Sequence, residues 1–185
     1  MDKNTFVYPS LAGRFLMLSR CRMFPDPRSI LSPYVTAGMT VIDAGCGPGY
    51  FTIPLSQITG KNGTVIAVDL QEKMLAGLKK YALKAGTDNI ITQQCSRNSL
   101  QVEKWNGTAD FALVFWMMHE VPDPQRLIKE LYMVLSPKGK MLLAEPAMHV
   151  SAAAFENSLK IISESGFVKT ESPIIAKSRT ALFTK

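Results

Sequence analysis

Cysteine is scarce. Cys21, Cys46 and Cys95 are three in 185 residues, with no close pair among them. That excludes a disulfide framework and a CxxC zinc or redox site. No apolar run approaches the ~18 residues that a membrane-spanning helix needs. The opening residues Met1-Asp2-Lys3-Asn4 do not lead from a basic run into an apolar segment. A secretory signal is therefore not expected, and the expected setting is the reducing cytoplasm. Internal repeats, low-complexity tracts and Gly/Ser linkers are also missing, and the length suits a single domain. Charged residues make up 19% against 46% hydrophobic, the balance of a globular chain rather than a disordered one.

A dense Lys/Arg block is lacking too. The net charge of +6 collects at the two ends. Lys3, Arg14, Arg20, Arg22 and Arg28 face only Asp2 and Asp26, and Lys160, Lys169, Lys177, Arg179 and Lys185 face only Glu164 and Glu171. Basic margins around a balanced middle can draw anionic substrates or nucleic acid, but bases this scattered read first as a solvated surface.

What is present is an alternation of short apolar runs and helical patterns. Residues 1–27 form an N-terminal arm that ends at Pro25-Asp26-Pro27, and residues 28–185 form the core. Strands are expected at 40–43, 64–68, 90–92, 111–115 and 141–144, the last after a Pro137-Lys138-Gly139 turn. Met74, Leu75, Leu78, Ala82 and Ala85 recur at helical spacing before Gly86, a suitable stop. Asp123-Pro124 can cap a helix bearing Leu127, Ile128, Leu131, Val134 and Leu135. Phe155, Leu159 and Ile162 mark a further helix, and 168–175 with 180–184 read as a closing hairpin. Strands alternating with helices predict an α/β, doubly wound, mainly parallel sheet with helices on both faces. Ligands of such folds bind beyond the carboxyl ends of the strands, where strand order reverses.

One such end is Val41-Ile42-Asp43-Ala44-Gly45-Cys46-Gly47-Pro48-Gly49-Tyr50-Phe51-Thr52. Its glycines let backbone approach a ligand closely, and a helix opening near Tyr50 aims its N–H groups into the same space. The spacing is G-x-G-x-G, with Tyr50 where a dinucleotide fingerprint needs a small residue. That disfavours pyrophosphate and a nicotinamide oxidoreductase. Asp43 suits a cationic ligand group instead. Asp69 ends the second strand, placed to accept the hydroxyls of a ribose. Loop and acid together point to a nucleoside-bearing cofactor.

These residues resemble the class I S-adenosylmethionine-dependent methyltransferases. The resemblance spans about residues 28–185, through motifs at 41–52, 67–71, 109–123 and 137–146 in the family's order. Residues 110–123 and the Pro-Lys-Gly turn look most like the small-molecule branch that contains the ubiquinone/menaquinone-biosynthesis methyltransferases. The resemblance implies a seven-stranded sheet with an antiparallel last strand and S-adenosylmethionine as cofactor, leaving S-adenosylhomocysteine as product. It also implies Gly45, Cys46, Gly47 and Gly49 against the cofactor, Asp69 with Leu70 at the ribose, and Asp43 near the methionyl ammonium. Cys95 and Ser96 would flank the adenine, where the family's usual acid is missing from Gln93-Gln94-Cys95-Ser96. Phe115 and Trp116 would wall the cofactor, Trp116 being equally fit to touch substrate.

The sulfonium already activates the methyl group, so much of the protein's task is alignment, which can supply up to ~7–11 kcal/mol. Phe115-Trp116-Met117-Met118-His119-Glu120 follows the fourth strand where amine- and amide-methylating relatives carry Asn/Asp-Pro-Pro-Tyr, and no Pro-Cys or Thr-Cys pair serves pyrimidine-carbon chemistry. Both absences argue against nucleic acid as acceptor. His119 and Glu120 are the candidate catalytic residues, one to orient substrate or take a proton. Their alternative role is to bond backbone and shape the loop. Glu145 and His149 are secondary candidates. The Met-lined, aromatic wall suits an apolar or aromatic small-molecule acceptor. Metal ligands are not expected. Phe15 to Leu18 with Arg14, Arg20 and Arg22 suggest either a lid over the pocket or a helix capping the sheet. The alternatives are an RNA or protein methyltransferase, and a non-catalytic cofactor-binding subunit.

Overall fold

The computed structural model describes residues 26–185, so all of the arm but its last two residues, with the expected lid or cap, lies outside the described residues. Seven strands form one sheet: β1 (Thr40–Ala44), β2 (Thr64–Asp69), β3 (Ile90–Gln94), β4 (Ala109–Phe115), β5 (Leu135–Pro146), β6 (Val168–Glu171) and β7 (Ser178–Thr184). Their spatial order is β3-β2-β1-β4-β5-β7-β6. β3, β2, β1, β4 and β5 pair in parallel, and β7 runs antiparallel between β5 and β6. The expected doubly wound sheet with an antiparallel last strand is therefore present.

The helices are α1 (Pro27–Leu31), α2 (Thr52–Thr59), α3 (Glu72–Ala85), α4 (Pro124–Val134) and α5 (Ala152–Glu164). Alternate residues of the central strands feed two cores. Ile42, Ile66, Ala112 and Val114 pack toward Leu127, Leu131, Phe155 and Ile162 of α4 and α5. Val41, Val65, Phe111 and Leu113 pack toward Leu31 and Leu55 of α1 and α2. Burial on both faces is why these strands read as unbroken apolar runs.

Local chemistry sets the helix ends. Asp123 Oδ1 accepts the Arg126 N–H at 2.9 Å to open α4, with Pro124 behind it. Ser151 Oγ accepts the Ala154 N–H at 3.1 Å to open α5. Gly86 closes α3 at φ +66°, a left-handed conformation that glycine adopts without a side-chain clash.

Several boundaries differ from the sequence expectation: β3 runs on to Gln94, β4 starts at Ala109, β6 stops at Glu171, and two further shifts have a local cause. α2 begins at Thr52 rather than Tyr50, because left-handed Gly45, Gly47 and Gly49 extend the loop before helical geometry can start. Leu135 opens β5 instead of ending α4. β5 then absorbs the Pro-Lys-Gly turn as an irregularity, with Leu135 opposite Ala109 and register resuming at Lys140 opposite Phe111. β1 has β2 on one side and β4 on the other, so strand order reverses at β1 and opens a crevice over its carboxyl end.

Candidate functional site

The glycine loop leaves β1 and is stapled to β2, since the N–H groups of Gly45 and Cys46 both donate to Val68 O, at 2.9 and 3.0 Å. Its three glycines do different work. A Cβ on Gly45 would meet Met117 at 2.9 Å, and one on Gly49 would meet Leu78 at 2.5 Å. A Cβ on Gly47 would meet no heavy atom within 4 Å. Gly45 and Gly49 thus let protein pack on the loop, whereas Gly47 faces open space at φ +53°.

Asp69 stands beside that opening. Its Oδ2 accepts the Gly47 N–H at 2.9 Å and its Oδ1 accepts the Gln71 N–H at 2.8 Å. Burial raises its pKa, and these two N–H groups pull the other way. A carboxylate has about four acceptor sites, so two remain for hydroxyls of a ligand. Asp43 lies deeper, 3% exposed, with Thr52 Oγ1 donating to its Oδ2 at 2.6 Å. Burial pushes its pKa up to about 7, against the Thr52 hydrogen bond and with help from Asp69. Two carboxyls with no ion pair to a Lys or Arg among the described residues suit a ligand that brings both hydroxyls and a positive charge. Sequence reasoning passes over Thr52, whose place at the start of the helix after the loop was the available signal.

Cys46 is buried, and its thiol is held well above its usual pKa by burial and then by Asp43 and Asp69. Cys95 sits half-buried after β3, its backbone N–H donating to Asp69 O at 3.0 Å, and its thiol is pushed up to about 11 mainly by burial. Both thiols are therefore neutral at physiological pH. Ser96 forms its own turn, with Oγ accepting the Asn98 N–H at 3.3 Å. Leu70 is half-buried, and its carbonyl accepts from Gln94 Nε2 at 3.4 Å. Among the described residues no group of three or more His, Cys, Asp or Glu can hold a metal ion.

The β4 end turns sharply. Trp116 has φ +54°, uncommon for a residue with a side chain. Its indole Nε1 donates to Ser178 Oγ on β7 at 2.9 Å. Phe115 packs on Phe51 with ring centroids 4.3 Å apart, against the core on the α2 side of the sheet. Met117 then lies over Gly45, and a short 3-10 turn, Met118–Glu120, follows.

Glu145, at the end of β5 and 1% exposed, gathers that turn. The Met118 N–H donates to its Oε1 at 3.1 Å, and the His119 N–H donates to its Oε2 at 3.2 Å. His119 Nδ1 lies 2.7 Å from the same Oε2. The pKa of His119 is raised, chiefly by this hydrogen bond, while burial opposes the shift. His119 and His149 also line a cavity of about 260 Å³ between the turn and α5. Glu120 Oε1 is 4.0 Å from His119 Nε2. The structure therefore brings His119, Glu120, Glu145 and His149 together, with His119 two residues after Met117, which packs on the glycine loop.

Comparison with known proteins agrees with the fold. A family model described as a methyltransferase domain matches residues 35–179. The demethylmenaquinone methyltransferase of Lactococcus lactis is 31% identical over 122 residues, covering 64% of this chain and 48% of the relative. The ubiquinone/menaquinone biosynthesis C-methyltransferase of Escherichia coli is 29% identical over 150 residues, covering 78% of this chain and 59% of the relative. The chain thus spans about half the length of the curated relatives it matches. In structure, a SAM-dependent methyltransferase from Aquifex aeolicus superposes with a TM-score of 0.83 at 24% identity, covering 96% of this chain and 98% of that one.

Proposed function

The chain belongs to the class I S-adenosylmethionine-dependent methyltransferases, in the branch of the menaquinone and ubiquinone enzymes, and from that premise we propose that it methylates a small-molecule acceptor. The observation that supports this most is the open face of Gly47 beside Asp69, with Met117 packed on Gly45 and the cavity-lining Met118 and His119 following it in the chain. Gly47 and Asp69 would hold the cofactor's ribose, Asp43 its ammonium, and Cys95 with the backbone near Ser96 its adenine. The bound cofactor supplies an activated methyl group. The chain supplies alignment and exclusion of water, the effects that dominate an in-line displacement.

The acceptor side is a cavity of about 260 Å³, walled by Met118, Val121, Val150 and Ile161 with two imidazoles and Asn157 as polar points. That mixture suits a ring-bearing apolar molecule with hydroxyl groups. The relatives' names support quinone precursors as candidates. His119, which lines that cavity, would orient the acceptor or receive its proton, and Glu120, outside the lining but 4.0 Å from His119 Nε2, would act alongside it.

The test is transfer of labelled methyl from S-adenosylmethionine into a cell extract separated into small molecules, lipids, RNA and protein. Label is expected among small molecules or lipids and absent with Gly47→Arg. Label in RNA or protein contradicts the acceptor class. Cofactor binding without transfer to any fraction contradicts catalysis and leaves a binding subunit.

A further inference from the structure

We propose that Glu145 is a positioning residue that turns His119 into the base of the acceptor pocket, by fixing hydrogen on Nδ1 and leaving the Nε2 lone pair facing the cavity. This rests on the reading of the site as a methyltransferase pocket. Glu145 comes from β5 and His119 from the turn after β4, so neighbouring parallel strands hold the pair rather than one mobile loop.

Three N–H donors converge on the Glu145 carboxylate: Met118 N, His119 N and His119 Nδ1. A carboxylate only accepts, so the 2.7 Å contact requires Nδ1 to be the donor, which selects the Nδ1–H tautomer. The backbone bonds from Met118 and His119 lock the carboxylate itself. Glu145 is 1% exposed while the His119 side chain keeps 24%, so the acid is sealed and the imidazole reaches the cavity. The opposite wall is also braced, since Arg179 Nε donates to Val150 O at 3.0 Å beside His149.

When a proton leaves the acceptor for Nε2, the imidazolium that forms is already beside a buried carboxylate. The acceptor's electron pair bonds the methyl carbon, and the S–C pair stays on sulfur. One proton is lost, one methyl is gained, and the thioether leaves neutral. Among the described residues, the titratable groups facing His119 are Glu145 from β5, Glu120 from its own turn and His149 after β5, the last with ring centroids 6.4 Å apart. The α4 start contributes Pro124, and α5 contributes Asn157 and Ser158, none of which titrates. The raised pKa of His119 agrees with this environment and sets the sign of the test.

The test follows His119 by nitrogen-15 NMR in the wild type and in Glu145→Gln, and measures transfer to 1,4-dihydroxynaphthalene from pH 5 to 9. His119→Asn, which keeps an N–H near the Nδ1 position and has no base, is the second variant. The wild type should show hydrogen on Nδ1 and a midpoint above that of free histidine. Glu145→Gln should lower the midpoint by at least half a pH unit and move the acid limb of the rate profile with it. His119→Asn should lose about 100-fold or more in transfer, with cofactor affinity within twofold. Hydrogen on Nε2, an unmoved midpoint, or full activity of His119→Asn overturns the proposal. If the wild type binds cofactor but does not transfer, the functional reading fails, and the NMR result still decides the pair.

Discussion

Asp43 is a carboxyl almost sealed from water, with a pKa pushed up to about 7 and the Thr52 hydroxyl as its donor. Because burial raises the folded-state value, ionised Asp43 costs the free protein stability. That cost is absent below the ordinary pKa near ~4, grows as pH rises, and is complete above about 7. Asp43→Asn should therefore stabilise the cofactor-free protein by roughly 2–4 kcal/mol at pH 8 and leave it nearly unchanged at pH 4. Denaturant titration at the two pH values checks this, and equal effects at both would remove the assigned cause. The same substitution should weaken cofactor binding, since a cationic ammonium prefers the charged acid. Asp69→Ala removes the acceptor of the Gly47 and Gln71 N–H groups as well as the proposed ribose contact. It should raise the cofactor Kd by at least 50-fold and lower stability by about 1–3 kcal/mol.

At the scale of elements, the loop between β1 and α2 divides binding from packing. Gly49→Ala at φ +105° drives a methyl into Leu78 and should lose about 1–3 kcal/mol of stability. Gly47→Ala meets nothing and should lose only about 1 kcal/mol for its left-handed backbone, its larger effect falling on cofactor affinity. Thermal unfolding with parallel calorimetry separates the two, and an equal Tm loss would contradict the division. The sequence announced this loop through its glycine spacing and announced α3 and α4 through period and caps. It did not show which glycine faces open space, because that depends on Met117 and Leu78 arriving from β4 and α3. Nor did it show that Glu145 would bind His119, a contact between residues 26 apart that only β4–β5 pairing creates. The delayed start of α2 and the irregular start of β5 were hidden likewise, since both follow from backbone geometry rather than apolar period.

Across the whole molecule, the strand order could be expected because parallel, doubly covered strands have few alternatives and because the family motifs stand in order. The crevice over β1 then falls where such sheets bind ligands, with the open face of Gly47 in its loop and Met117, after β4, packed on Gly45. Among the described residues no helix is long and apolar enough to cross a membrane. A ligand in this crevice ties loops from β1, β2 and β3 together, so it should stabilise the fold as a unit. At one hundred times its Kd, S-adenosylhomocysteine should add about 2.7 kcal/mol and raise Tm by about 5–10 °C. No shift at saturation would place the ligand elsewhere or nowhere.

The most direct measurement is a calorimetric titration of S-adenosylmethionine into the wild type and into Gly47→Arg, whose added side chain would fill the open face of the loop. We expect one site per chain in the wild type and an affinity at least 100-fold weaker in the variant, with circular dichroism showing the same fold. Equal affinity in the two proteins would contradict the assignment of this loop as the cofactor site.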